Sequence, residues 1–556
     1  MSLYRFVQNL FLQRLKASVV TLVILVALTA SGATTGRKFY TDDPLTREPE
    51  TQDASIVQSW DIDLIYDLSY NVFVTPSRPQ SNIKAQNVNT IDEAPDSSWF
   101  TNRISQVTAE NIARPFGSGQ APASEQWTVV HEKTTGFAPG FTARDAKGVT
   151  WFLSFDPPSN PEGATGALVI ATKIFWALGY NQVETFLTSV NRENMDIDPS
   201  ATTRRPSGKR TPLTSKDLDE VFDRAARNPD GTYRAAAGRL IPGRVLGGFR
   251  YLDTRPDDPN DIVPHQHRRE LRALRVFGAW TNLTDMKAGN TLDTLVTEDG
   301  RGIVKHYLQD VGSTFGIGAN GPHDWDEGWE YLYEGGATRR RLLSFGFWLS
   351  PWQTADYKEH PSIGRFEGKS FNPEEWKPRV PTAAYMEMRD DDAFWAARRV
   401  MAFSDEMIRA VVKAGAYSDP EAERHLADVL IERRNKIGRT YLTRVNPIID
   451  PAIDTAGALT FGNAATQAGI SAAPAEYRAA WFDFNNETGQ TTPLGETRSK
   501  QERIPLPANL PSRPGAFLKV EVNIASAAGS PTLPPAHVYF RRSTGGWKLV
   551  GLERMP

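Results

Sequence analysis

"WTVVHEKTTGFAPGFTARDAKGVTWFLSFDPP", residues 127–158, sets how the rest of the chain is read. Three runs of β-branched and aromatic residues are parted by the turn sets "TTGFAPG" and "DAKG", the pattern of a hairpin followed by a third strand. Directly afterwards, "TGALVIATKIFWALGY" (165–180) changes period. Ala167, Val169, Ile170, Ile174, Phe175, Ala177 and Leu178 fall on one wide apolar stripe, and Gly179 suits a helix stop. Strands feeding a buried helix predict a mixed α+β chain.

Working outward, residues 196–235 are polar and basic ("TTRRPSGKRTPLTSKDLDE") and predict an insertion with one short helix. "GRLIPGRVLGGFRYLD" (238–253) predicts one or two more strands. "HRRELRALRVFGAWTNL" (267–283) has apolar residues at 271, 274, 277 and 280, a helix with one face packed inward. Two further helices are signalled at 403–415 and 418–442, the second with Asp419 as cap and Pro420 at its first position. The chain then turns β-rich again from about 455, ending in a hairpin around "STGG" within 537–554. On the other side, residues 36–125 are rich in Pro, Asp, Asn and Ser and read as an irregular segment wrapping a domain.

The 556 residues carry 40% apolar and 23% charged side chains with 14 Trp, enough to build a sizeable packed core. Net charge is −3, so there is no general pull toward nucleic acid. The absence of cysteine excludes disulfides, thiolate metal sites and cysteine nucleophiles. Arg5, Arg14 and Lys16 precede the apolar run "ASVVTLVILVALTASGA" (17–33), the anatomy of a secretory signal or an uncleaved anchor with its basic end inside. Either route predicts export, to the periplasm or to the inner membrane facing it.

One further stretch carries chemistry. "TNLTDMKAGNTL" (281–292) sets out Asp285, Lys287 and Asn290 as D-x-K-x-x-N, and "HYLQDVGSTFG" (306–316) places Asp310 two residues before Gly312. Phosphoryl transfer needs a carboxylate to orient the acceptor hydroxyl, and an amide and a second carboxylate to hold the divalent cations that bridge the phosphates. Asp285 suits the first role, Asn290 and Asp310 the second pair, and Lys287 could neutralise charge on the transferred group. Oxygen donors of this kind suit Mg²⁺ or Mn²⁺.

These two segments resemble the catalytic loop and the metal-binding D-x-G segment of the protein-kinase superfamily. The surrounding phrases, among them "NVNTIDEAPDSSWFTNR", "FDPP", "KIFWALGYN" and "VKHYLQDVGSTFG", are similar to its atypical bacterial branch: HipA-like and CotH-like kinases and a related group of large exported bacterial proteins. The resemblance spans roughly residues 40–450, its kinase-like signature about 127–320. It implies a bilobal kinase-like fold: an irregular extension (36–125), a β-rich N-lobe with an insertion (126–262), a helical C-lobe (263–450) and a small β-rich C-terminal domain (455–556). It implies ATP or another nucleotide as ligand, with Lys133 and Ser154 on the nucleotide side, while Gly136 and Gly140 either cover its phosphates or simply form a hairpin turn. It also implies a lysine on the third strand and a glutamate on the next helix, where this chain has Ser154 and Leu168. That loss points to a weak or inactive phosphotransferase, unless Lys133 or Lys173, with Glu162, substitutes for the pair in an active enzyme. The remaining alternative is a non-enzymatic envelope protein using the same scaffold to bind a protein partner. Outside the motif, His265, His267 and His306 lack the spacing of a metal site, and "GANGPHDWDEGWE" (318–330) reads as a solvated loop.

Overall fold

Residues 36–126 run mostly without regular structure apart from two short 3₁₀ turns (Thr75–Ser77 and Ile104–Gln106) and the helix α1 (Leu64–Phe73), which Asp63 caps by accepting from the Ile65 and Tyr66 amides. The computed structural model describes residues 36–132, 138–205, 208–345, 347–525 and 533–554. The expected leader therefore lies outside the described residues, as do Lys133 and Gly136. Among the described residues no helix is long and apolar enough to cross a membrane.

The three expected strands form as β1 (Trp127–Glu132), β2 (Gly140–Arg144) and β3 (Thr150–Phe155), each antiparallel to the next. Helix α2 (Gly163–Leu178) follows and stops at Gly179, whose φ of 126° only glycine adopts without strain. A seven-stranded sheet completes the unit in the order β4–β7–β3–β2–β1–β5–β6, with β4 at Thr185–Val190 and β7 at Tyr233–Arg239. The basic insertion holds the expected short helix, α3 (Ser215–Phe222), with Thr214 and Asp217 closing a capping box. It also holds a hairpin that the sequence reading lacks, β5 (Met195–Arg204) with β6 (Arg210–Pro212), and β5 joins β1 in parallel. "DIDPSATTR" has no apolar alternation to announce a strand; the backbone of β1 supplies the pairing that local sequence does not.

The two faces of this sheet differ. Trp127, Phe141, Trp151, Leu153 and Phe155 pack against Leu218 and Phe222 of α3. At roughly 2 kcal/mol for each large apolar side chain buried, this face holds the sheet together. On the other face one rung of residues runs in continuous register across six strands: Thr185, Gly238, Phe152, Thr142, His131, Thr202. Phe152 there is 44% exposed.

The second half is mainly helical: α4 (Arg269–Thr281), α5 (Gly335–Leu343), α6 (Ala383–Met386), α7 (Asp390–Met401), α8 (Asp405–Lys413) and α9 (Pro420–Tyr441). The strands β8 (Arg244–Gly247), β9 (Leu292–Glu298) and β10 (Arg301–Tyr307) form a small antiparallel sheet beside them. Helix α4 buries its predicted apolar face, and it buries Arg269, Glu270 and Arg272 as well. Arg269 meets Asp392 at 3.0 Å, Asp391 at 3.2 Å and Asp92 at 3.0 Å, while Arg272 takes the other oxygen of Asp392 at 3.0 Å. Arg554 closes the set on Asp92 at 2.8 Å. The wrapping segment and the far end of the chain are thus tied to one helix by charges. Burial pushes the Asp92 carboxyl up, but Arg269, Arg554 and Lys84 outweigh it and hold it well below the carboxylate range. Burial likewise raises Glu93, and Arg398 and Arg399 outweigh it, leaving that carboxyl at about 2.

Residues 448–553 form two antiparallel sheets around Trp481, Leu518, Val520, Val538 and Phe540, and the hairpin expected at 537–554 turns between Ser543 and Gly546.

Candidate functional site

The site is built at the end of α4. Asn282 adopts the left-handed conformation (φ 57°, ψ 40°) that terminates the helix, and its side-chain oxygen accepts from the Trp376 indole at 2.8 Å. The chain leaves at a fixed angle, and the following residues sort themselves by polarity. Leu283, Met286 and Ala288 are buried, which leaves Asp285, Lys287 and Asn290 half-buried and facing the cleft. Thr291 locks the exit, donating to the Ala288 carbonyl at 2.7 Å and accepting from the Phe249 amide at 2.8 Å.

A hairpin then brings Asp310 back. Strands β9 and β10 pair from Glu298↔Arg301 to Leu292↔Tyr307, closed by a two-residue turn in which Asp299 and Gly300 both have positive φ (49° and 77°). "EDGR" is the sequence signal for that turn. The sequence reading contains no strand over 292–298, so it offers no reason for residues twenty apart to meet. They meet because they flank the two ends of one hairpin: the Asp310 amide donates to the Asn290 carbonyl at 3.1 Å. The hairpin is fixed from inside by the cross-strand pair His306–Asp293 at 2.7 Å. Trp99 of the wrapping segment stacks on His306 with ring centroids 3.6 Å apart.

The polar contacts at the site are short and local. The Lys287 ammonium lies 2.8 Å from Asp285 Oδ2, and Asn290 Nδ2 donates to the same oxygen at 3.0 Å and to the Asp285 carbonyl at 2.7 Å. Asp310 is exposed, and its Oδ1 accepts from the Gly312 amide at 2.9 Å. A Cβ on Gly312 would stand 3.2 Å from that oxygen and 3.4 Å from Leu168, so a larger residue there would press on the Asp310 carboxylate. Two hollows, of about 530 and 650 Å³, open on either side, and Ser154, Leu168, Lys287, Asn290 and Asp310 line both. The larger runs under the exposed rung of the seven-stranded sheet.

Other expected residues fall elsewhere. Gly140 starts β2 opposite Ser154 and is buried in the sheet, outside the cleft lining; Ala138 takes a place in the wall instead. Lys173 lies on another face of α2, donating to the Arg114 carbonyl at 3.1 Å, and burial lowers its pKa to about 8. Glu162 is turned to the Ser418 amide at 2.8 Å. Neither can act in the cleft. The stretch read as a solvated loop is in fact a cleft wall, from Gly318 to Glu327. Within it His323 is buried, bonded to Ser313 Oγ at 2.9 Å, and burial lowers its pKa against the opposing effect of Glu327. Only the fold brings that loop over Asp285. His265, His267 and His306 are engaged by Asp261, Arg272 and Asp293, and among the described residues no three His, Asp or Glu side chains cluster to hold a metal.

No protein-family model matches the chain, and no curated protein matches it. Among solved structures, a crystal structure of the Golgi casein kinase is 9% identical, covering 73% of this chain and 98% of that one, with a TM-score of 0.28. A second, of the Golgi casein kinase with Mn/ADP bound, is also 9% identical, covering 71% and 95%, again at 0.28. At that score neither likeness decides the fold or the chemistry.

Proposed function

We propose that the cleft binds a nucleotide with a divalent cation on a kinase-like scaffold, and that the protein transfers the terminal phosphoryl group weakly or not at all. The observation that carries this is the meeting of Asp285, Asn290 and Asp310 around one hollow through a helix cap and a hairpin. A single exposed carboxylate beside an amide fits Mg²⁺ or Mn²⁺, which take few protein ligands and fill the remainder with phosphate and water oxygens. Asn290 and Asp310 would hold the cation, which when bound supplies charge neutralisation between phosphates. Asp285, already accepting from Lys287 and Asn290, has its carboxylate oriented to receive the hydrogen bond of an acceptor hydroxyl. Ser154 and Leu168 both face the cleft beside Asp310, where the resemblance implies a lysine and a glutamate. A hydroxyl and an isobutyl group cannot balance phosphate charge, and this supports weak or absent transfer. The basic–apolar leader in the sequence supports export, to the periplasm or to the inner membrane facing it.

The test is thermal unfolding with ATP and Mg²⁺ or Mn²⁺. Ligand at a hundred times Kd should stabilise by about 2.7 kcal/mol and raise Tm. Asp310→Ala should abolish that shift while leaving Tm without ligand unchanged, and Ser154→Lys with Leu168→Glu should enlarge it. No shift with any nucleotide would leave the non-enzymatic envelope protein as the surviving reading.

A further inference from the structure

A ligand bearing phosphates needs cationic donors. Three cations line the two hollows among the described residues: Lys287, Arg204 and Arg210. Lys287 is engaged by Asp285. Arg204 and Arg210 are direct cross-strand partners on the β5–β6 hairpin, and neither has an acidic partner among the described residues. Like charges facing each other on a ladder are destabilising by up to about 1 kcal/mol.

The same hairpin contains its own control. Arg205, one residue on and so on the opposite face, is bonded to Asp217 at 3.0 Å and to Thr211 at 2.7 Å. The insertion therefore pairs the arginine that points at its own helix and leaves unpaired the two that line the groove. Between Arg204 and the Asp310 end runs the rung of Thr202, His131, Thr142 and Phe152, which lines the same hollow of about 650 Å³.

We infer that Arg204 and Arg210 form a clamp for a phosphate-class oxyanion of a ligand lying along the inner face of the sheet. This rests on the proposed function for the ligand's other end, at Asp310, but the clamp is open to a separate test. Guanidinium pairs hold such groups through two parallel N–H···O bonds, a geometry that lysine lacks.

The experiment is titration calorimetry on the full chain with metal-free tripolyphosphate, and separately with ATP and Mg²⁺. Variants are Arg204→Ala with Arg210→Ala, Lys209→Ala as the loss of one positive charge on the same hairpin outside the groove lining, and Asp310→Ala. The expected result is tripolyphosphate binding that falls about a hundredfold in the double variant, about tenfold per charge-assisted pair lost, with less than threefold change in Lys209→Ala. Tripolyphosphate that competes with ATP identifies the clamped group as the nucleotide's own phosphates; simultaneous binding identifies it as part of an anionic acceptor. Equal binding in the wild type and the double variant, or an equal loss in Lys209→Ala, overturns the clamp. If the double variant binds tripolyphosphate as the wild type does while ATP with Mg²⁺ still binds through Asp310, the clamp fails and the nucleotide reading stands. If tripolyphosphate binds through the arginines while ATP with Mg²⁺ gives no Asp310-dependent signal, the reverse holds. Far-ultraviolet circular dichroism and Tm confirm that the hairpin variants remain folded.

Discussion

The charged residues around α4 and those around the cleft come from the same chemistry and are used in opposite ways. In the first region Arg269, Arg272 and Arg554 are buried, and each meets a carboxylate of Asp92, Asp391 or Asp392. In the second, Asp310, Arg204 and Arg210 stand exposed, and the two arginines face each other without an acid between them. Charges satisfied inside the protein join distant parts of the chain. Charges left for solvent along a hollow are available to a ligand. The contrast separates architecture from candidate function without reference to any relative.

Asp392→Ala should break this contrast most visibly. It takes from the buried Arg272 its carboxylate partner and from the buried Arg269 one of three, and should cost about 3–5 kcal/mol in urea unfolding, whereas Asp310→Ala should change stability by less than about 0.5 kcal/mol. Equal losses would erase the distinction. Next in size is the acid limb of stability. Glu93 is held at about 2, below its unfolded value, so its contribution is complete above roughly pH 4.5 and fades as pH falls toward 2. Glu93→Gln should remove about 2–3 kcal/mol at pH 7 and flatten the decline of stability between pH 4.5 and 2. A decline as steep as in the wild type would mean that other carboxylates govern it.

A smaller effect joins the two regions. Gly300→Val puts a β-branched residue at positive φ in the turn that sets the Asn290–Asp310 spacing. It should cost about 1–2 kcal/mol and weaken the Mg²⁺-dependent nucleotide shift, measured by melting with and without ligand. A smaller change in stability than that of Gly300→Val belongs to Gly312→Ala. Its Cβ would press on Asp310 and Leu168, so stability should move by less than about 1 kcal/mol while the metal-dependent shift is lost. A retained shift would show that Asp310 is not held by that loop.

How much of this is readable in the sequence varies by element. Strands β1–β3, α2 and α9 are carried by local pattern: alternation, a wide apolar stripe, a capping aspartate followed by proline. The three oxygen donors of the site are readable as a spaced motif. Strand β5 is not, because its pairing comes from β1 and its own residues have no apolar period. Helix α4 is predicted with one packed face, yet its arginines are inside too, since a charge can be buried wherever the fold delivers an opposite charge. The wall from Gly318 to Glu327 is read as solvated because clustered acids ordinarily are.

The sequence by itself determined the local elements, the absence of cysteine chemistry and the identity of Asp285, Asn290 and Asp310 as a candidate set, because each depends on residues near one another in the chain. Only the tertiary structure decided that these three meet, that Lys173 and Glu162 point away, and that Arg204 and Arg210 face the same groove. Those outcomes depend on strand register, on a hairpin turn and on buried charge pairing across hundreds of residues, none of which a local pattern encodes.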